Sequence, residues 1–225
     1  MVGLSLYHSL RAQISDGWRR TRITEQFSKD FSVMIQIKQF TFNPFQENTY
    51  ILSDSTKECV IVDAGCLNGS EQADLLQFIK SNNLTPVKVI NTHGHVDHVL
   101  GNSFIKSQFM VTILGHPSDN DLLKSGVDHA KMFGFSVDSV SPIDSPIKHG
   151  DRITFGESFL EVIHTPGHSS GGVCLYSPED KFILAGDTLF NGSIGRTDLP
   201  GGDYYTLIES ITSRLLALDD VTVYC

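Results

Sequence analysis

The sequence lacks a long apolar run and a block of basic residues. A membrane-spanning helix needs about 18 or more consecutive apolar residues, and no stretch of this chain approaches that length. The formal net charge is -9, with 17 Lys and Arg against 26 Asp and Glu, so nucleic-acid backbones and anionic membranes are repelled on average. We therefore predict a soluble protein that binds a small molecule, with neither nucleic acid nor membrane as a partner.

Cysteine is also scarce, with 4 residues in a chain of 225. These residues form no C-x-x-C pair, and they do not indicate a disulfide framework in a chain of this length; they are Cys59, Cys66, Cys174 and Cys225. We therefore expect a reducing, cytoplasmic setting. The length suits a single domain, since such domains commonly reach ~200–250 residues.

Residues 1–33 differ in composition from the rest of the chain. They contain five basic and three acidic residues, whereas residues 34–225 are strongly acidic. They also lack the ~7–15-residue apolar centre of a secretory signal. We expect this segment to be a disordered extension or the product of a mis-assigned start codon, with Met34 as the physiological start. Residues 34–225 are assigned to one domain.

The first part of this domain alternates between strand and helix patterns. Cys59 to Val62 is a continuous apolar run typical of a strand that is buried on both faces. Asn68 and Glu71 then have the spacing of a helix-capping box, and Val87 to Ile90 returns as a strand. The order strand, helix, strand predicts a parallel pair in an α/β fold. Near the end of the chain, Asp203 is predicted to cap a further helix.

The densest cluster of metal-binding residue types follows the strand that ends at Ile90. His93, His95, Asp97 and His98 lie within six residues. A loop with Gly94 at its centre can turn His93 and His95 toward a common point. Asp97 and His98 fall at the start of a helix, so their side chains are expected to point in a different direction from the first pair. Imidazole and carboxylate groups bind zinc and similar metals at ~2.0–2.2 Å. The pattern therefore favours two cations side by side.

Several short segments share their pattern with one family. His-x-His-x-Asp-His after an apolar strand resembles the signature of the metallo-β-lactamase superfamily of metal-dependent hydrolases. Four further segments resemble its short glyoxalase II-like (hydroxyacylglutathione hydrolase-like) branch, and they are Val62–Gly65, Thr165–His168, Ala185–Phe190 and Gly195–Asp198. The resemblance implies an α/β fold, a four-layer αββα sandwich in which two mixed β-sheets face each other with helices outside.

The resemblance also implies a set of metal ligands. These are His93, His95, His168 and Asp187 for the first metal and Asp97, His98 and Asp187 for the second. Asp187 follows a buried apolar run, and its two carboxylate oxygens suit it to bridge two cations. The expected cofactor is Zn2+, as one or two ions, with Fe2+ or Mn2+ as alternatives.

Two further residues are implied near the metals. Asp63 would orient ligand histidines, although a simple turn aspartate would give the same pattern. Arg196 would support the metal carboxylates or contact an anionic substrate, and an ion pair with Asp198 is an equal alternative. His116 and His164 match no family ligand, and we interpret both as structural.

Residues 117–146 are the least patterned stretch of the domain. Related enzymes place a substrate-covering insertion near this position, and long ordered loops are often functional. We predict that the segment forms part of the pocket wall, with packing against the face of a sheet as the alternative.

The predicted activity is hydrolysis by a metal-bound hydroxide, acting on a thioester such as a hydroxyacyl-thiol conjugate. Asp97 would orient the hydroxide or handle its proton. One alternative is a mononuclear iron persulfide dioxygenase, because two histidines and a carboxylate suit Fe(II); similar dioxygenases would place these ligands at His93, His168 and Asp187. A dinuclear family member would continue past Cys225 with a Gly-His pair. A truncated chain that binds metal without activity is therefore a third hypothesis.

Overall fold

The computed structural model of this protein describes residues 34–225. The predictions made for residues 1–33 lie outside this range. Within it, no helix combines the length and the apolar character that crossing a membrane requires. The strands form two large sheets and one small two-stranded ribbon.

One sheet contains the first six strands in sequence order. They are β1 (Gln36–Phe42), β2 (Glu47–Ser53), β3 (Glu58–Val62), β4 (Thr85–Ile90), β5 (Thr112–Gly115) and β6 (Ser145–Pro146). β2 pairs antiparallel with β1 and β3, whereas the pairs from β3 through β6 are parallel. The parallel pair predicted from the strand, helix, strand order is confirmed as β3 and β4.

The second sheet and the ribbon hold the remaining strands. They are β7 (Arg152–Phe155), β8 (Ser158–His164), β9 (Val173–Ser177), β10 (Phe182–Leu184), β11 (Leu189–Phe190), β12 (Ser193–Ile194) and β13 (Thr222–Tyr224). The sheet order is β13-β10-β9-β8-β7, while β11 and β12 form the ribbon. β10 and β13 are parallel, and the other pairs are antiparallel. Both large sheets are therefore mixed.

The helices are short, and side-chain caps define two of their starts. They are α1 (Gly69–Ser81), α2 (Val96–Val99), α3 (Asn102–Phe109), α4 (Asn120–Lys124), α5 (Gly126–Met132) and α6 (Tyr204–Ser210). A 3-10 turn at Pro117–Asp119 precedes α4, and a π-helical turn at Ile211–Leu215 continues α6. The predicted capping box of Asn68 and Glu71 is confirmed. Asp203 caps α6 by accepting the Thr206 N–H at 2.7 Å.

The core lies between the two sheets. Leu52 and Val62 from the first sheet share one buried cluster with Leu160, Leu175 and Leu184 from the second. This cluster exists because alternate residues of each strand point to the inner face. The sheets therefore face each other across a common apolar layer.

Helices cover the outer faces. On the first sheet, Ile61 of β3 lies in a buried cluster with Leu75 of α1 and Ile105 of α3. On the second sheet, Ile183 of β10 lies in a cluster with Leu207 of α6. The predicted four-layer αββα sandwich is confirmed.

The residues that follow β3 and β4 lie together at one edge of the sandwich, next to the start of β9. Asp63 directly follows β3, and its N–H donates to the carbonyl of Ile90 at the end of β4, at 2.9 Å. The N–H of Val173 in β9 donates to the carbonyl of Thr92 at 2.8 Å. The loop after β4 is thereby attached to both sheets.

Candidate metal centre

Three histidines from two loops bring their ring nitrogens together. His95 Nδ1 lies 2.8 Å from His168 Nε2, and His168 Nε2 lies 3.3 Å from His93 Nε2. The ligand-capable atoms of this group all fall within 4.8 Å of one another. His93 and His168 are buried, so this cluster of nitrogens is formed inside the protein rather than on its surface.

A second group of donors lies beside the first. His98 Nε2 is 3.6 Å from Asp97 Oδ2 and 3.3 Å from Asp187 Oδ1. The other oxygen of Asp187, Oδ2, lies 3.5 Å from His168 Nε2. Asp187 therefore presents one oxygen to each group, which is the arrangement that a bridging carboxylate requires.

Hydrogen bonds on the far side of each ring fix where its lone pair points. His168 Nδ1 lies 2.8 Å from the carbonyl oxygen of Arg196, which accepts hydrogen bonds only, so Nδ1 carries the proton. His98 Nδ1 lies 3.0 Å from Asp63 Oδ2 and donates to it. In both rings Nε2 faces the cluster, where the neutral ring would offer the lone pair that a metal ligand requires.

Asp63 also acts on His93, through Thr92. Its Oδ1 accepts the Thr92 N–H at 2.7 Å, and its Oδ2 accepts the Thr92 hydroxyl at 2.6 Å. That hydroxyl oxygen lies 3.1 Å from His93 Nδ1, and it accepts the ring N–H because its own proton is donated to Asp63. One buried carboxylate thus sets the tautomers of His93 and His98.

Burial and neighbouring charges separate the pKa values of the histidines. Burial first, and then the adjacent rings, hold the pKa of His93 well below its usual range and lower the pKa of His95 to about 3. For His98, burial opposes protonation, but Asp97, Asp63 and Asp187 raise its pKa well above the usual value. Burial also opposes ionisation of Asp187, yet His98 and His168 keep its pKa lowered. The three carboxylates around His98 therefore favour a positive charge at this point, carried either by the protonated His98 ring or by a bound cation.

These residues fit divalent metals. Metal binding requires neutral imidazole and ionised carboxylate, and the environment favours the neutral form of His93 and His95 and the ionised form of Asp187. Asp63, His93 and His98 also have ligand-capable atoms within 4.8 Å of one another. Both oxygens of Asp63 already accept hydrogen bonds, however, so its geometry suits orientation of the ligands rather than coordination.

Comparison with known proteins places this arrangement in a family. The family model described as Metallo-beta-lactamase superfamily matches residues 42–225. The chain belongs to the metallo-β-lactamase superfamily. It is 36% identical over 178 residues to the hydroxyacylglutathione hydrolase GloC of Haemophilus influenzae, an alignment that covers 78% of this chain and 82% of GloC.

Two solved structures support the same assignment. The structure of the BLEG-1 B3 metallo-beta-lactamase matches with a TM-score of 0.74 and 32% sequence identity. The match covers 84% of this chain and 90% of the BLEG-1 chain. The structure of TTHA1623 in a di-iron-bound form matches with a TM-score of 0.73 and 34% sequence identity. The match covers 83% of this chain and 90% of the TTHA1623 chain. The superfamily and fold predicted from the signature segments are confirmed, and the chain is a member of a superfamily of metal-dependent hydrolases.

The remaining predicted residues of this metallo-β-lactamase domain occupy distinct positions. Asp97 has a partly exposed side chain and lines a cavity with His98 and Asp187. The Arg196 guanidinium is exposed and pairs with Asp198 through two contacts of 2.7 Å. Of the alternatives for Arg196, the structure thus shows the ion pair, while its main-chain carbonyl holds His168.

The two histidines interpreted as structural lie outside the ligand cluster and stack on each other. The rings of His116 and His164 are 4.1 Å apart and nearly parallel, with 7° between their planes. His116 Nδ1 accepts the Ser118 N–H at 3.3 Å, and His164 Nε2 donates to the carbonyl of Ser170 at 3.1 Å. These contacts support the structural interpretation.

Glu47 is a site residue that sequence reasoning missed. It is buried and lines the same cavity, and Oε2 accepts the Thr49 hydroxyl at 2.9 Å. Oε1 lies 3.9 Å from His98 Nδ1, and within residues 34–225 it has no hydrogen-bond partner. Burial raises the pKa of Glu47 well above its usual value and so favours the protonated form. Its position at the start of β2, far from the signature in sequence, gave no indication of this role.

The segment 117–146 contacts the site in two places. Phe133 and Phe135 pack edge-on against Phe45, with ring centroids 5.0 and 5.6 Å apart, and Phe45 lines the cavity. Asp119, another residue that sequence reasoning missed, is buried against the ligand loops. The residues that line this cavity come from other parts of the described chain, so the segment packs against the cavity wall and the ligand loops, whereas it was predicted to form part of the wall itself.

Proposed function

We propose that this protein hydrolyses a thioester, of the hydroxyacyl-thiol class, with one or two bound divalent metal ions. The observation that carries the proposal is the position of Asp187, whose oxygens face two separate donor groups. The similarity to GloC, named as a hydroxyacylglutathione hydrolase, supports the substrate class. The cavity lined by Asp97, His98 and Asp187 would receive the substrate.

The proposed ligands follow from the two donor groups. His93, His95, His168 and Asp187 would hold the first metal, and Asp97, His98 and Asp187 the second. Zn2+ is proposed because imidazole nitrogen and carboxylate oxygen are among its preferred ligands. When bound, such a metal supplies an activated water, whose pKa falls from 15.7 toward ~7.

The protein side chains then handle protons and position the substrate. The Asp97 carboxylate accepts a proton from the attacking water while a new C–O bond forms at the acyl carbon. The C–S bond breaks, and Asp97 returns the proton to the sulfur of the leaving thiolate, so that acid and thiol are the products. Asp63 keeps His93 and His98 oriented throughout. Phe45 and Phe190 line the cavity and provide apolar contact for the acyl group.

The test is thiol release from a hydroxyacyl-glutathione thioester by protein loaded with Zn2+, detected with a thiol reagent. We expect turnover by the wild type and a loss of more than about 100-fold in His93→Ala, because removal of a group that only orients a metal ligand already costs about 10–100-fold. His149→Ala is the matched control, because His149 is exposed and lies outside the cluster. Equal activity in both variants would refute the proposal.

An iron oxygenase is the second candidate. His93, His168 and Asp187 form a set of two histidines and one carboxylate, which suits a single Fe(II) with open positions; the di-iron-bound form of TTHA1623 shows that a similar protein can hold iron. The substrate would be a persulfide, as in persulfide dioxygenases. Oxygen uptake by the iron-loaded protein with a persulfide, without thiol release from thioesters, would favour this candidate over hydrolysis.

We also propose a cytoplasmic location. The four cysteines are free, and Cys59, Cys66 and Cys174 are buried. Unpaired cysteines are usual where the environment is reducing. Fluorescence microscopy of the tagged full-length protein, compared with a cytoplasmic marker, tests this location.

A further inference from the structure

Asp119 connects the two loops that carry the clustered histidines. We propose that it is a positioning residue, whose carboxylate sets the affinity of the centre for metal; this inference rests on the metal site of the proposed function. Asp119 contacts no ligand side chain through its hydrogen bonds. It acts on the main chain and on a hydroxyl group beside the ligands.

The contacts of Asp119 reach both loops. Oδ2 accepts the N–H of Gly94 at 2.9 Å and the hydroxyl of Ser169 at 2.8 Å. Oδ1 accepts the N–H of Gly171 at 2.6 Å. Gly94 lies between His93 and His95, and Ser169 directly follows His168. A single carboxylate therefore controls the separation of the two segments that must converge on the first metal.

Asp119 is buried, with 2% exposure, and forms no ion pair with a Lys or Arg of residues 34–225. A buried charge is costly unless hydrogen bonds compensate for it. The donors from both loops must therefore stay in place, and loss of the carboxylate would leave buried donors unpaired.

The packing around Asp119 is also close. A Cβ atom on Gly171 would lie 2.6 Å from Asp119 Cγ and 2.7 Å from its Oδ1, a separation that real side chains do not adopt. Glycine at this position lets the main chain reach the carboxylate. The main chain of the loop after His168 is thus in direct contact with the Asp119 carboxylate.

Asp54 provides a matched control at another turn. It is also buried, with 2% exposure, and it also joins two loops through hydrogen bonds. Its oxygens accept from the N–H and hydroxyl of Thr56, the N–H of Glu157 and the hydroxyl of Ser158. None of these partners adjoins a proposed metal ligand. Loss of either carboxylate should lower stability, but only loss of Asp119 should change the metal centre.

The experiment compares Asp119→Asn with Asp54→Asn in the full chain. Zn2+ affinity is measured by competition with a chromogenic chelator, the Co2+ absorption spectrum reports ligand geometry, and circular dichroism without metal reports folding. In Asp119→Asn the amide N–H2 would face backbone N–H groups. We expect Zn2+ affinity to fall about 10-fold or more, in the range found for groups that orient ligands, with an altered Co2+ spectrum. Asp54→Asn should keep the wild-type affinity and spectrum.

Each outcome decides the inference. Wild-type Zn2+ affinity and Co2+ spectrum in Asp119→Asn would overturn it, and so would an equal loss of affinity in Asp54→Asn. If Asp119→Asn does not fold, Ser169→Ala replaces it, because it removes one of the same hydrogen bonds; reduced affinity supports the inference and unchanged affinity overturns it. A wild-type chain that binds no Zn2+ overturns the metal site itself, whereas tight binding without hydrolysis overturns only the proposed reaction.

Discussion

His98 Nδ1 lies 3.0 Å from Asp63 Oδ2, and both side chains are buried. Asp63 reaches this position from a left-handed backbone conformation, with φ of 51°. Asparagine also tolerates this conformation better than most residues. The chemistry of the carboxylate can therefore be changed at this position with little change to the backbone.

Replacing Asp63 with Asn should weaken metal binding. The carboxylate accepts three hydrogen bonds, from His98 Nδ1 and from the N–H and the hydroxyl of Thr92. An amide has only one acceptor oxygen and cannot accept all three. We expect Zn2+ affinity to fall about 10–100-fold, measured by chelator competition. Asp54→Asn is the control, because Asp54 is also buried and its hydrogen-bond partners adjoin no proposed metal ligand. Wild-type affinity in Asp63→Asn would show that the tautomers of His93 and His98 need no carboxylate.

Replacing Asp187 with Asn should lower the amount of bound metal. The amide has one acceptor oxygen, so it cannot offer one oxygen to each donor group. We expect less metal per chain than in wild type after the same dialysis, measured by elemental analysis. Asp198→Asn should match the wild type, because Asp198 is exposed and its ion pair within residues 34–225 is with Arg196. Equal metal content in wild type and Asp187→Asn would contradict the bridging position.

Asp54 should make stability depend on pH in the acidic range. Burial opposes its ionisation, but hydrogen bonds from Thr56, Glu157 and Ser158 lower its pKa below the usual value. A lowered folded-state pKa means that its contribution is present above the unfolded value of ~3.9 and is lost as pH falls through the folded value. Near neutral pH, Asp54→Asn should reduce the free energy of unfolding by ~1–3 kcal/mol.

The measurement is urea unfolding of wild type and Asp54→Asn from neutral pH to about pH 3, a range that extends below the unfolded pKa of aspartate. The difference in unfolding free energy should stay constant above about pH 5 and shrink below ~3.9, as the carboxylate is protonated. A difference that grows on acidification would have the wrong sign for a lowered pKa.

The fold and the ligand cluster were predictable because their determinants are local in sequence. The capping box at Asn68 and the apolar runs around it defined the β3, α1, β4 unit. His93, His95 and His98 lie in one loop and one helix turn, so their spacing alone indicates a metal site. His168 and Asp187 required the resemblance, because each belongs to a separate short segment.

The supporting residues were not predictable for the opposite reason. Asp119 binds Gly94, Ser169 and Gly171, which are 25 to 52 positions away, and hydrogen bonds to main-chain N–H groups leave no residue pattern. The helices that follow it, α4 and α5, span only 5 and 7 residues, too short for a clear helical periodicity. Glu47 likewise reaches His98 only because β2 pairs with β3 and β3 pairs with β4.

Gly167 should be sensitive to even the smallest side chain. Its φ is 130°, and a Cβ atom would lie 2.3 Å from the backbone nitrogen and 2.4 Å from the Cα of Leu207 in α6. Its carbonyl also accepts the N–H of Asp203, at 2.8 Å. Because the obstacle is main chain, Gly167→Ala must displace α6 or the turn that holds His168. Gly192→Ala is the matched control, since Gly192 has φ of 79° and a Cβ atom added there would meet no atom within 4 Å.

The control isolates the cost of the backbone conformation. Gly192→Ala should lose only the ~1–2 kcal/mol of a left-handed non-glycine residue, measured by urea unfolding. Gly167→Ala should lose a further ~1–3 kcal/mol from overpacking. It should also weaken Zn2+ binding, because His168 directly follows. Equal losses of unfolding free energy in the two variants, with unchanged Zn2+ affinity, would mean that α6 shifts without moving His168. The contact between Gly167 and Leu207 would then not hold His168 in place.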